Sequence, residues 1–82
     1  MRKLNILVVG GCGYIGTHMV KALLENRHHP VTLDDLSTGN RDLLPGGDFI
    51  RGSIADLPLL DQIFTSQPID AVMHFAAFIE VG

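Results

Sequence analysis

The sequence predicts an α/β fold, the N-terminal part of a doubly wound parallel sheet with strand order 3-2-1-4. Three observations carry that expectation. β-rich apolar runs alternate with amphipathic helical stretches along the 82 residues, and such alternation implies a parallel sheet with helices on its faces and right-handed crossovers. A glycine cluster, Gly10-Gly11-Cys12-Gly13-Tyr14-Ile15-Gly16, lies between the first apolar run and the first helical stretch. An acidic pair, Asp34-Asp35, closes the second run. Parallel sheets of this kind bind ligands at the carboxyl ends of their strands, beside the point where strand order reverses.

Residues 4–9 are β-rich and largely apolar on both alternating faces, the pattern of a central strand covered by helices on two sides. From Tyr14 to about Asn26, Ile15, Met19, Val20, Leu23 and Leu24 recur at helical spacing, with Lys21, Glu25 and Asn26 elsewhere around the wheel. Pro30 punctuates the chain before Val31-Thr32-Leu33, a short second strand that ends at Asp34-Asp35. Ser37-Thr38-Gly39-Asn40 and Pro45-Gly46-Gly47 are turn signals with room for only a short helical turn between them. Phe49-Ile50 makes a third strand. Asp56 precedes Leu57-Pro58, where proline is tolerated because its missing N–H would be unpaired at a helix start. That helix runs to about Ser66, Gln67-Pro68 closes it, and residues 69–76 form a fourth strand ending in small residues. No repeat, low-complexity run or linker interrupts the chain, so it is one unit.

The glycine loop follows a β-rich run and opens a helix, the context a dinucleotide fingerprint requires. It fits two spacings: Gly11-x-Gly13-x-x-Gly16, the general Rossmann form, and Gly10-x-x-Gly13-x-x-Gly16, that of short-chain dehydrogenases/reductases. In either, early glycines permit the tight turn, a middle one lets pyrophosphate approach the backbone, and the last lets helix pack against strand. The helix N-terminus offers unpaired N–H groups and a positive dipole to the phosphates. Asp34 stands at the distance past the loop where a carboxylate accepts hydrogen bonds from the adenosine ribose, and it would repel a 2′-phosphate. NAD is therefore expected over NADP.

Composition bounds the alternatives. An apolar content of 46% with a formal charge of −3 indicates a chain that folds around a core. There is no basic stripe for a nucleic-acid backbone, so a nucleic-acid partner is not expected. No stretch approaches the ~18 apolar residues that cross a bilayer. Met1-Arg2-Lys3 followed by an apolar run resembles the start of a signal peptide, but the run is short, contains Asn5 and meets glycines rather than a cleavage site. The single Cys12 rules out an internal disulfide and fits a reducing cytoplasm. Beside a helix start its thiol has one route to reactivity, yet a small loop residue is the simpler reading. His28-His29 reads as exposed turn residues rather than a metal pair, and His18 and His74 as locally packed.

Taken in order and at matching separations, Gly10 to Gly16, Asp34-Asp35-Leu36-Ser37-Thr38-Gly39-Asn40 and His74-Phe75-Ala76-Ala77 make the whole chain similar to the UDP-glucose 4-epimerase family of extended short-chain dehydrogenases/reductases. The resemblance implies NAD as cofactor, with Gly10, Gly13, Tyr14, Ile15 and Gly16 at the pyrophosphate. Asp34 and the run Asp35, Leu36, Ser37, Thr38, Gly39 and Asn40 would surround the adenosine. Ser53 and Ile54 would flank the adenine, Phe75, Ala76 and Ala77 would approach the nicotinamide ribose, and Ile79 would make a weaker contact. Three positions depart from the family pattern. Val9 replaces a common threonine, Ser53 an aspartate that caps the adenine amino group, and Arg27 a helix-ending glycine, the last at a cost of about 1 kcal/mol.

In that family a tyrosine of a Tyr-x-x-x-Lys pair removes the sugar C4 hydroxyl proton while hydride passes to NAD. The keto sugar turns over and hydride returns to its other face, which interconverts UDP-glucose and UDP-galactose in galactose metabolism. Those catalytic residues lie beyond Gly82 in such proteins. Tyr14, the only tyrosine, has His18 rather than lysine four residues later, so no catalytic residue is expected here and the domain is read as truncated before them, inactive alone. A UDP-sugar partner belongs to a full-length parent. A fragment of another nucleotide-sugar epimerase or dehydratase is the nearest alternative. A different class of reading is a non-catalytic module that self-associates through the open edge of its fourth strand.

Overall fold

The computed structural model describes residues 3–36 and 41–75. In chain order it contains β1 (Asn5–Val9), α1 (Tyr14–Glu25), β2 (His29–Asp34), a 3-10 turn (Arg41–Leu43), β3 (Asp48–Arg51), α2 (Leu57–Ser66) and β4 (Ala71–His74). The strands form one sheet in the order β3-β2-β1-β4, and every neighbouring pair is parallel. This is the order expected from the sequence.

The doubly apolar character of β1 has a direct structural counterpart. Its odd residues Leu7 and Val9 join Val31, Leu33 and Ile63 on one side of the sheet, with Ile50, Leu59, Leu60 and Ile69 packed at the margin. Its even residues Ile6 and Val8 join Val20 and Leu23 of α1 on the other side. Successive strand residues point to opposite faces, so a strand with a helix layer on each face must be apolar throughout. Full burial of each such side chain contributes roughly 1.5–3 kcal/mol.

Helix α1 ends in a two-bond C-terminal motif. The Arg27 N–H donates to the Leu24 carbonyl at 3.0 Å and the His28 N–H to the Leu23 carbonyl at 2.8 Å. That geometry requires a left-handed residue, and Arg27 supplies it with φ 64°. At α2 the Asp56 carboxylate accepts the Leu59 N–H at 3.2 Å and caps the helix start.

Three expectations change. Pro30 lies inside β2 rather than ahead of it. The His29 N–H faces β1, donating to Leu4 at 2.8 Å, so the nitrogen of Pro30 faces the β3 side, where the ladder begins only at Val31↔Asp48. No sheet hydrogen bond is lost. His28 and His29 are half-buried rather than exposed turn residues. The Nδ1 of His28 accepts the Leu4 N–H at 3.1 Å, and His29, within β2, pairs through Nε2 with the Asp48 carboxylate at 2.9 Å. Finally, β4 starts at Ala71, two residues after the expected beginning. Just ahead of it, Asp70 closes the ladder with its side chain, whose carboxylate accepts the Asn5 N–H at 2.8 Å. Among the described residues no helix is long and apolar enough to cross a membrane.

Candidate functional site

All the described strands run the same way, so their carboxyl ends share one edge of the sheet, and backbone hydrogen bonds lace that edge together. The Gly10 N–H donates to the Leu33 carbonyl at 2.8 Å, the Gly52 N–H to the Asp34 carbonyl at 3.1 Å and the Phe75 N–H to the Val9 carbonyl at 2.8 Å. The edge thus gathers the glycine loop, Asp34 with Asp35 and Leu36, Ser53 with Ile54, and Phe75. Residues 37–40, with Ser37, Thr38, Gly39 and Asn40, and the positions Ala76, Ala77 and Ile79 lie outside the described residues.

The glycines of the loop differ in what demands them. Gly10 turns the chain with φ 82°, a conformation that disfavours a side chain. At Gly16 a Cβ would stand 2.3 Å from the Gly10 carbonyl oxygen and 2.8 Å from the Gly11 Cα, so α1 packs on the loop only through glycine. Gly11 is held against the side chain of Thr32, where a Cβ would meet Cγ2 at 2.4 Å. Gly13 is the exception. Its backbone is extended, with φ −78° and ψ 175°, and a Cβ there would meet nothing nearer than the Gly10 carbonyl oxygen at 3.5 Å, an ordinary contact. The fold has no need of glycine at that position.

Gly13 is also the N-cap of α1 and offers no side chain to the amides of the first turn. Thr17 donates its hydroxyl to the Gly13 carbonyl at 2.6 Å, and its own N–H reaches that carbonyl at 2.8 Å. This leaves the preceding helix amides without a side-chain cap, beside Tyr14 and Ile15, whose side chains are 81% and 55% exposed. Uncapped amides at the positive end of a helix form a ready anion site.

Asp34 is a buried strand-end residue, only 8% exposed. One carboxylate oxygen accepts the Cys12 N–H at 2.8 Å and the other the Leu36 N–H at 2.8 Å. A single side chain therefore pins the glycine loop to the exit of β2. The second bond holds Leu36 left-handed, with φ 64°, a strained state for a residue with a side chain. Ser53 is exposed, and its Oγ accepts the Ala55 N–H at 3.0 Å, leaving its O–H to donate outward. Phe75 is half-buried against the Ile6, Val8, Val20 and Leu23 cluster.

Cys12 is a packed loop residue and not a reactive thiol. Its side chain is fully buried, and burial pushes the thiol up to about 11, with the Asp34 carboxylate adding to the rise and Arg41 opposing it. Among the described residues no group of three His, Cys, Asp or Glu side chains is placed to hold a metal. His18 is exposed and meets the Tyr14 ring edge-on, centroids 4.7 Å apart. His74 is likewise exposed, although it has an interaction partner.

Residues 6–82 match the family described as the NAD dependent epimerase/dehydratase family. The chain belongs to that family. Similar members include the UDP-glucose 4-epimerase of Rhizobium meliloti (strain 1021), 43% identical over 82 residues that are 100% of this chain and 25% of the relative. The UDP-glucose 4-epimerase of Halalkalibacterium halodurans is 49% identical over 77 residues, 94% of this chain and 23% of the relative. Among solved structures, the UDP-glucose 4-epimerase of Brucella ovis in complex with NAD superposes with a TM-score of 0.84 at 42% identity, covering 88% of this chain and 22% of its own. The Thermotoga maritima UDP-glucose 4-epimerase with UDP-glucose gives 0.84 at 37% identity, over 88% of this chain and 24% of its own. The chain thus spans about a quarter of the length of the curated relatives it matches. The family takes NAD as its cofactor, and its Rossmann-type sheet order is the one seen here.

Sequence reasoning placed the edge but missed two of its features. The left-handed Leu36 had no signal, because leucine is an unexpected residue at positive φ. Arg51, paired with Asp34 across β2 and β3, follows the Phe49-Ile50 run and carries no local signal of that pairing.

Proposed function

We propose that this chain forms the NAD-binding part of a UDP-glucose 4-epimerase-like protein. The observation that carries the reading is Gly13. The fold leaves room for a side chain there, so the missing Cβ is best explained by a ligand that approaches the backbone beside uncapped helix amides. On this reading Gly10, Gly13, Tyr14, Ile15 and Gly16 hold the pyrophosphate. Asp34, Asp35, Leu36 and residues 37–40 surround the adenosine, Ser53 and Ile54 flank the base, and Phe75, Ala76, Ala77 and Ile79 approach the nicotinamide end. When bound, NAD supplies a hydride acceptor and donor. The described residues bind and orient it: Asp34 keeps the loop in place through Cys12 and Leu36, and Ser53 offers its O–H to the base. A UDP-sugar substrate, the proton-transfer residues and a cytoplasmic role in galactose metabolism belong to a longer protein.

The test compares Gly13→Ala with the native chain. Stability in urea should change by no more than about 1 kcal/mol, while NAD affinity by calorimetry should fall about tenfold or more, a loss of ~1.4 kcal/mol. A folded chain that binds no NAD, or a variant that binds it equally well, would refute the proposal.

The open edge supports a second reading. Among the described residues β4 is paired on one side only, and its Val72 is 48% exposed. We propose that two copies of this chain associate along that edge. Light scattering should show a mass rising with concentration, and a constant monomer mass would count against association.

A further inference from the structure

The glycine loop is steered by a residue outside the glycine pattern. Thr17, one turn into α1, is half-buried. Its hydroxyl oxygen lies 2.6 Å from the Gly13 carbonyl oxygen and 3.2 Å from that of Gly11, and its N–H donates to the Gly13 carbonyl at 2.8 Å. The Gly10 carbonyl is engaged as well, accepting the Gly13 N–H at 3.2 Å. The carbonyl oxygens of Gly10, Gly11 and Gly13 are therefore all committed to bonds within the loop and helix.

A peptide unit is planar and trans, so its C=O and N–H point in opposite directions. Fixing a carbonyl therefore aims the amide that follows it. The peptide between Gly11 and Cys12 is held at both ends, by the Thr17 hydroxyl at its carbonyl and by the Asp34 carboxylate 2.8 Å from its nitrogen. The peptide between Gly13 and Tyr14 is held at its carbonyl by the hydroxyl and N–H of Thr17. That carbonyl points along the helix, so the Tyr14 N–H points out of the helix start, where no side chain caps it. A carbonyl oxygen turned outward here would meet an anion with negative charge in place of a donor. We propose that Thr17 is a positioning residue of the dinucleotide site: its hydroxyl holds the Gly11 and Gly13 carbonyls inward and so aims the Tyr14 amide at the pyrophosphate. The inference rests on the dinucleotide reading above and deepens it at the phosphates.

A threonine hydroxyl bonded to the carbonyl four residues earlier is also an ordinary helix feature, and the molecule contains its own control. Thr65 of α2 makes the same bond to Asp61 at 2.8 Å, with Gln62 at 3.1 Å. It is exposed and lies at the end of α2 that leads into β4, opposite the edge with the loop. The test titrates NAD by calorimetry into the full chain and three variants, with folding checked by circular dichroism. Thr17→Val keeps the branched shape without the O–H and should lose about fivefold or more in NAD affinity. Thr17→Ser restores the hydroxyl and should stay within about twofold of the native chain, and Thr65→Val should bind as the native chain does. Should Thr17→Val not fold, Thr17→Ala removes the same hydroxyl and takes its place. Native affinity in Thr17→Val, or an equal loss in Thr17→Ser, would overturn the positioning role and leave the dinucleotide reading standing. An equal loss in Thr65→Val would overturn it too, as a general effect of helix back-bonds. A folded native chain that binds no NAD would overturn both.

Discussion

Along β1 and β2 the sheet is closed on both faces: Val8, Val31 and Leu33 have no exposed surface, and Leu7 retains 1%. Along β4 the opposite holds, with Ala71, Val72 and His74 all exposed, while α2 buries only Ile63 and leaves Leu57 and Phe64 at 71% and 47%. The β1-α1-β2 half carries the glycine loop and closes one face with its own α1, while Ile63 of α2 closes the other; the β3-α2-β4 half has a neighbour on one side only. The stability of the described residues therefore concentrates under the candidate site, in the half where Asp34 and Gly16 allow little movement.

Substitutions in the two halves should separate sharply. Gly16→Ala sets a Cβ against backbone atoms that have no rotamer to adopt, and should cost about 3 kcal/mol or more in urea denaturation. Leu7→Ala, in the closed half, should cost about 2–5 kcal/mol, whereas Phe64→Ala on the open helix should cost about 1 kcal/mol or less. Equal losses for Leu7 and Phe64 would show that the open half is covered in solution, and would favour association of copies.

Two changes within the closed half should raise stability instead. Arg27→Gly relieves the left-handed strain at φ 64° and should add about 1 kcal/mol. Thr32 is fully buried, and its hydroxyl finds no hydrogen-bond partner among the described residues. Thr32→Val keeps the shape against Gly11 and removes that polar group, for a gain of about 1 kcal/mol or less. A loss on thermal melting of Thr32→Val would mean that the hydroxyl has a use in the folded chain.

Much of this was legible before any coordinates. Alternation of apolar character set the strand order, because a parallel sheet is the usual way to satisfy strands and helices in strict succession. Gly10 and Gly16 had their roles readable from spacing alone. The histidines were not: His28 and His29 read as exposed turn residues because two adjacent side chains with no further ligands make no metal pair, and only the fold gave them Leu4 and Asp48 as partners. Pro30 read as a boundary because proline punctuates strands. A proline is excluded from a strand only where its nitrogen faces a partner, and whether β3 reaches that far is a tertiary fact.

By itself, then, the sequence determined the parallel α/β order, the loop at the first strand-to-helix turn and the acid at the end of the second strand. Periodicity and glycine chemistry are local properties that survive without a fold. Tertiary structure alone decided which glycine the fold does not require, that Asp34 is bonded to two backbone amides, and that Arg51 is its partner in the ladder. Each of these depends on atoms brought together from different elements: Gly13 with Gly10, Asp34 with Cys12, Arg51 with Asp34 across a ladder. Separation along the chain carries no record of such distances, because they arise only when the strands pair and the helix closes on the loop.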